Sequence, residues 1–163
     1  MRHSFHRFGI VAVLYMACAS LALAEDGKDE AIRQDREQIA GRWRIVELHS
    51  GGNRVADEDA QKLTVVNEPD GDWSLHSEGE EISHGTSTLD PTKRPKTIDF
   101  TPLEGDDKGK LYLGIYELGE QTRKMCFAPP GEPRPTEFTS PPGSQHVLVI
   151  YEREPAKAPE PTP

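Results

Sequence analysis

Beyond residue 41 the chain alternates between short apolar runs and clusters of turn-forming residues. The runs are rich in β-branched and aromatic residues, and Gly, Pro, Asp and Asn separate them. This spacing is typical of strands joined by turns, with no helical periodicity between them. We therefore expect about eight strands in an antiparallel sandwich or barrel. The predicted strands cover residues 42–49, 62–66, 72–77, 81–89, 97–101, 110–118, 122–128 and 146–153.

Two predicted strands are apolar on both faces. In the strand 110–118, Leu113 and Ile115 lie on one face and Tyr112 and Tyr116 on the other, and the strand 146–153 shows the same pattern. Such strands need cover on both sides. A closed barrel covers the inner face, so the pattern favours an eight-stranded antiparallel barrel, with a helix over part of the outer wall.

That helix is predicted just before the first strand, within residues 25–40. Ala31, Ile32 and Ile39 form a thin apolar stripe among charged residues, and Gly41 suits the position after a helix end. Because the stripe is weak, packing on the barrel has to hold the helix in place.

Residues 1–24 have the composition of a secretory signal peptide. A basic head precedes an apolar run that ends in Ala22-Leu23-Ala24, which predicts cleavage before Glu25 and export to the periplasm or the extracellular space. An uncleaved anchor is one alternative, although the run is short for a bilayer-spanning helix. Lipidation at Cys18 is another.

Cleavage would leave 139 of the 163 residues, with 17 basic and 28 acidic side chains and hence a charge of −11. This length suits one domain, predicted over residues 41–154, and we expect a monomer with no further membrane span. The acidity argues against nucleic acid and anionic lipid as partners. The proline-rich residues 155–163 are predicted to form a disordered tail.

Cys126 is the single cysteine of the predicted mature chain. Paired with His146 it could act as a nucleophile. Its position between Met125 and Phe127 is more typical of a buried core residue, and we expect no catalytic residue.

No metal site or cofactor is expected. The four histidines of the mature chain lack the spacings that place two nitrogens on one ion. The acidic loops 67–72 and 104–107 lack the twelve-residue calcium-loop pattern, and their Asp-Gly turns are ordinary hairpin chemistry. The histidines are His49, His76, His84 and His146.

The barrel interior is the remaining candidate site. An eight-stranded barrel either fills with its own side chains or holds one small ligand. If a small apolar ligand binds, we expect Trp73, Phe100, Tyr112 and Tyr116 to line its pocket, with the proline-rich residues 129–142 as an ordered loop or a flap.

Several blocks between residues 34 and 153 resemble an uncharacterised family of secreted planctomycete domains. The resemblance implies no activity and no catalytic residue. The blocks are Gly41-Arg42-Trp43, Leu89-Asp90-Pro91, Pro95-Lys96-Thr97-Ile98-Asp99, Lys108-Gly109-Lys110, Leu113-Gly114-Ile115-Tyr116, Cys126-Phe127-Ala128-Pro129-Pro130-Gly131 and Arg134-Pro135-Thr136-Glu137-Phe138.

A second resemblance concerns the fold. Gly41 and Trp43, after a short helix, are similar to the opening of lipocalin-like (calycin) barrels. The resemblance implies that Trp43 plugs one barrel end under a basic side chain, either Arg153 or Arg123. A cation over an indole face stabilises by about 0.5–2 kcal/mol.

The leading functional hypothesis is an exported, non-enzymatic binding module for a small apolar ligand. The alternative is a protein-interaction or envelope-associated domain with a filled barrel. A third hypothesis is a hydrolase that uses Cys126 or a pair of loop carboxylates.

Overall fold

The computed structural model describes residues 10–155, with side chains from residue 25 onward. A long helix, α1 (Ile10–Ile39), leads into nine strands and one short helix. These elements are β1 (Gly41–Ser50), β2 (Asn53–Arg54), α2 (Asp57–Ala60), β3 (Leu63–Asn67), β4 (Asp72–Ser77), β5 (Glu80–Asp90), β6 (Lys96–Pro102), β7 (Tyr112–Leu118), β8 (Thr122–Phe127) and β9 (Val147–Arg153).

The sheet closes on itself. From β3 to β9 each strand pairs with its sequence neighbours, and β1 pairs with both β3 and β9, always antiparallel. The two-residue strand β2 pairs antiparallel with the last two residues of β1 and takes no part in closing the barrel. The predicted eight-stranded antiparallel barrel is therefore confirmed, and the predicted short helix before the first strand corresponds to the part of α1 from Glu25 to Ile39. The eight long strands lie within two residues of their predicted bounds.

Side chains that point inward from the strands fill the interior of the barrel. Trp43 pairs with Arg153, Ile45 with Tyr151 and Leu48 with Val149, and these side chains face inward. A β-bulge between Ile45 and Glu47 adds one residue to β1 between two of these inward positions. The buried apolar core combines residues of β1, β5, β6, β7, β8 and β9 with one residue from each helix. Its members are Ile39, Trp43, Ile45, Ala60, Leu89, Ile98, Tyr116, Met125, Val149 and Tyr151.

Helix α1 crosses one end of the barrel, which we call the closed end. Arg36 donates to the Ser87 carbonyl on β5, Gln38 donates to the Gly119 carbonyl in the β7–β8 turn, and Asp35 pairs with Lys96 at the start of β6. The expectation that the helix covers the outer wall was wrong. Its contacts are with turns and interior side chains, because the chain enters β1 at this end.

The proline-rich segment 128–146 covers the outer wall instead. Arg134 pairs with Asp99 on β6 and donates to the Gly114 carbonyl on β7, and the Cys126 thiol on β8 contacts the Thr139 carbonyl. Ile115 and Cys126, which face outward, are thereby buried. This segment supplies the second cover that strands apolar on both faces require.

The predicted signal peptide, residues 1–24, lies outside the residues with described side chains, and the tail lies outside the described residues from 156 onward. Within the part of the chain that is described, no helix has both the length and the apolar character to cross a membrane.

Candidate ligand-binding site

Four aromatic side chains meet inside the barrel. We call Trp73, Phe100, Tyr112 and Phe127 the aromatic group. Phe100 stacks on Tyr112 with ring centroids 4.5 Å apart, and it meets the edges of Trp73 at 5.4 Å and Phe127 at 4.8 Å. Offset-stacked and edge-to-face pairs stabilise by about 0.5–1.5 kcal/mol beyond the burial of their area. Phe100 therefore holds the group together.

Two glycines make room for these rings. A Cβ atom on Gly85 would lie 2.7 Å from Trp73, and one on Gly114 would lie 2.4 Å from Phe127. Both glycines face inward, because Gly85 pairs with Trp73 and Gly114 pairs with Phe127. The Trp73 indole N–H donates to the Thr86 carbonyl at 3.1 Å, which fixes the ring.

The aromatic group extends to the barrel end away from α1, which we call the mouth. Tyr112 begins β7 and Phe127 ends β8, so both lie at the mouth. All four rings are only half-buried. Partial burial and the neighbouring Asp107 carboxylate raise the pKa of Tyr112 to about 12, so its phenol is neutral at physiological pH. The arrangement is a partly exposed aromatic surface.

Tyr116, the fourth predicted pocket residue, lies apart from this group at the closed end. Its side chain is only 1% exposed, and its hydroxyl donates to Asp35 at 2.5 Å. Asp35 also accepts from Lys96 at 2.7 Å. Burial and the adjacent carboxylate raise the pKa of Tyr116 well above its usual range. Tyr116 is thus occupied in holding α1 on the barrel.

The predicted contact between Trp43 and Arg153 is present. The guanidinium carbon of Arg153 lies 4.2 Å from the Trp43 ring, and that of Arg123 lies 4.6 Å from it. Arg153 also donates to the carbonyls of Gln38 and Ala40 at the end of α1. A cation is favourable there because the helix dipole is negative at its C-terminus.

Gly41 joins α1 to β1 at a φ of 106°, and its missing side chain leaves space for Arg153. A Cβ atom there would lie 3.1 Å from the Arg153 guanidinium. The predicted structural residues Gly41, Trp43 and Arg153 therefore form one contact.

Arg123 is buried inside the barrel at 2% exposure. It lies between the rings of Trp43 and Tyr151 and donates to the Asn67 side chain. Burial lowers its pKa to about 10, so the group is still a cation at neutral pH. Two aromatic faces and one amide oxygen take the place of a carboxylate partner.

Cys126 is fully buried on the outer wall beneath the segment 128–146. Its thiol lies 3.2 Å from the Thr139 carbonyl, and burial raises its pKa. Among the described contacts, none joins this thiol to His146. A buried thiol with a raised pKa carries little thiolate and is a weak nucleophile.

Three oxygen-bearing side chains of the two acidic loops make contacts within the protein. Asn67 accepts from Arg123 inside the barrel, and Asp70 accepts from the backbone of Asp72 in its turn. Asp107 pairs with Lys110 at 2.8 Å. The Asp70 and Asp107 contacts are those of ordinary turns.

Sequence reasoning missed Phe127 as a member of the aromatic group and Asp35 as a buried anchor. Phe127 could have been found, since alternation through Arg123 and Met125 places it on the inner face of β8. Asp35 carries no such signal, because its partners Lys96 and Tyr116 are more than sixty residues away.

The fold and this site define an eight-stranded antiparallel barrel with a helix across one end and aromatic side chains at the other. Comparison of the chain with models of known protein families, with curated proteins and with solved structures found no match.

Proposed function

We propose that this protein is an exported, non-enzymatic binding module that takes a small apolar ligand at the mouth of its barrel. The observation that carries the proposal is the difference in burial between the two barrel ends. Trp43 and Tyr116 at the closed end are at most 1% exposed, whereas the whole aromatic group remains half-buried.

Partly exposed aromatic rings can gain further burial from a ligand. Each Å² of apolar surface removed from water contributes about 25 cal/mol, and a flat apolar ligand adds ring contacts with Phe100 and Tyr112. The closed end, by contrast, is fully packed, with Trp43 and Tyr116 almost inaccessible to solvent. The mouth is therefore the part of the interior best suited to a ligand.

Selective quenching of Trp73 fluorescence tests the proposal. Iodide should quench half-buried Trp73 and spare Trp43, which is 0% exposed. Addition of aromatic or lipid-like compounds should protect Trp73 and raise the melting temperature of the full chain. Native mass spectrometry of gently purified protein would detect a bound molecule directly.

Two variants locate the site. Tyr112→Ala removes a ring of the aromatic group and should weaken the ligand-dependent rise in melting temperature. Tyr116→Phe, outside the group, should leave that rise unchanged. If no compound protects Trp73 and none raises the melting temperature, the carrier proposal is overturned.

The alternative is an interaction or envelope-associated domain built on a filled barrel. The extensive core around Met125 and Val149 favours it, because a packed interior needs no ligand. Cross-linking in the native compartment, followed by mapping of the linked residues, would test it. The buried Cys126 thiol weighs against the hydrolase hypothesis.

Export is part of the proposal and rests on the signal-peptide composition of residues 1–24. The intact mass of the protein recovered from its native compartment should correspond to a chain that begins at Glu25. A retained leader would contradict cleavage, and an added lipid mass would support the alternative at Cys18.

A further inference from the structure

Three potential metal ligands converge near the mouth, on the outside of the barrel. The Nδ1 atom of His84 lies 3.1 Å from a carboxylate oxygen of Glu81 and 3.2 Å from one of Glu104. The three ligand atoms lie within 4.8 Å of one another. Glu81 and Glu104 are exposed and His84 is half-buried, so an ion from solvent can reach them.

The barrel backbone fixes the positions of these residues. Glu81 and His84 belong to β5, and Glu104 lies in the loop that follows β6. The backbone N–H of Leu103 donates to the His84 carbonyl at 2.9 Å, which places the next residue, Glu104, beside the imidazole. The cluster therefore depends on the pairing of β5 with β6.

The spacing of the ligand atoms suits a small divalent ion. With metal–ligand bonds of about 2.0–2.1 Å, adjacent ligand atoms are roughly 3.0–3.4 Å apart in octahedral or tetrahedral coordination. The two distances from His84 to the carboxylates already fall in this range. The two glutamate oxygens lie within 4.8 Å of each other, and both belong to exposed side chains that can rotate toward an ion.

We propose that Glu81, His84 and Glu104 form a binding site for a divalent transition-metal ion such as Zn²⁺. One imidazole nitrogen and two carboxylate oxygens make a mixed donor set that suits zinc and its neighbours. Calcium instead takes six to eight oxygen ligands, which this cluster does not supply. Water would complete the coordination of the bound ion.

Calorimetric titration of the full chain with Zn²⁺ alone tests this site, with Ca²⁺ titrated separately. One Zn²⁺ ion should bind per chain, and Ca²⁺ should give no comparable signal. Titration with Co²⁺ should produce visible absorption bands from a coordinated ion. His84→Ala and Glu104→Gln should each weaken Zn²⁺ binding at least about tenfold, since even outer-shell changes at metal sites cost about 10–100-fold.

Two matched controls separate this site from general surface binding. His49→Ala removes a histidine that contacts one carboxylate, Glu47, at 2.6 Å. Glu80→Gln removes a neighbouring exposed carboxylate outside the cluster. Both variants should bind Zn²⁺ as the unaltered chain does. Absence of Zn²⁺ binding, or equal affinity in His84→Ala, overturns the proposal, and circular dichroism would show that each variant is folded.

Discussion

Asp35 shows how one residue joins the helix to the barrel. Its carboxylate is 7% exposed and accepts hydrogen bonds from both Lys96 and Tyr116. A buried carboxylate is costly unless it is paired and fully hydrogen-bonded. Both partners project from the barrel, so this charge is compensated only while α1 stays in position.

Asp35→Ala should therefore destabilise the protein by about 2–4 kcal/mol, because it leaves Lys96 and the Tyr116 hydroxyl without their acceptor. Denaturant unfolding would measure the loss. Tyr116→Phe keeps the ion pair between Asp35 and Lys96 and removes one hydrogen bond. It should therefore lower the free energy of unfolding by about 0.5–1.5 kcal/mol. An Asp35→Ala variant as stable as the unaltered chain would show that the contact does not anchor α1.

Gly114 is constrained by its neighbour across the strand pair. Gly114→Ala places a Cβ atom 2.4 Å from the Phe127 ring and 3.0 Å from the Cys126 carbonyl. Since overpacking of this kind costs about 1–3 kcal/mol, the midpoint of unfolding should fall. Gly27→Ala is the matched control, because nothing lies within 4 Å of its added Cβ and alanine favours a helix. That control should be neutral or slightly stabilising.

At the scale of elements, the segment 128–146 replaces the helix as the cover of the outer wall. Prolines keep it from pairing as a strand, so side chains hold it to the barrel. Arg134 makes four hydrogen bonds to the barrel, two to the Asp99 carboxylate and one each to the carbonyls of Ile98 and Gly114.

Arg134→Ala should release the segment 128–146 from the outer wall. It should lower the free energy of unfolding by about 1–3 kcal/mol, the range for a charge-assisted pair that is partly buried. Cys126 should then react faster with a thiol reagent, as peptide mapping by mass spectrometry would show. Arg54→Ala removes an exposed pair with Asp57 and should change stability by less than about 1 kcal/mol. Unchanged Cys126 reactivity in Arg134→Ala would contradict this account.

At the scale of the whole molecule, burial in the barrel raises the pKa of three tyrosines, so their ionisation couples stability to high pH. Burial raises the pKa of Tyr112 to about 12 and also raises those of Tyr116 and Tyr151 above the ordinary value of 10. The folded state therefore holds these protons more tightly than the unfolded state does. Their contribution to stability is complete below about pH 10 and is lost as the pH rises toward 12 and beyond.

Absorbance at 295 nm should accordingly show that phenolate forms in the folded protein above the pH at which free tyrosine ionises. Unfolding free energies measured from pH 9 to 12 should decline above about pH 10. Ionisation of all tyrosines at the ordinary pKa in the folded protein would contradict the burial described here.

Much of the barrel could be predicted from the sequence, because alternating side chains and turn residues are local signals. The eight long strands follow from them, whereas β2 and α2 were missed since both are only a few residues long. The aromatic group was predicted in part. Trp73, Phe100 and Tyr112 meet as expected, and Tyr116 lies at the other end because alternation gives the face of a strand but not the depth along the barrel.

The sequence by itself determined which segments extend, where they turn and which side chains face inward, because these properties depend on neighbours along the chain. Only the tertiary structure decided which strand closes on which, that α1 covers an end, and that Glu104 comes to lie beside His84. Those outcomes depend on contacts between residues far apart in sequence, and the register and stagger of the closed sheet set them.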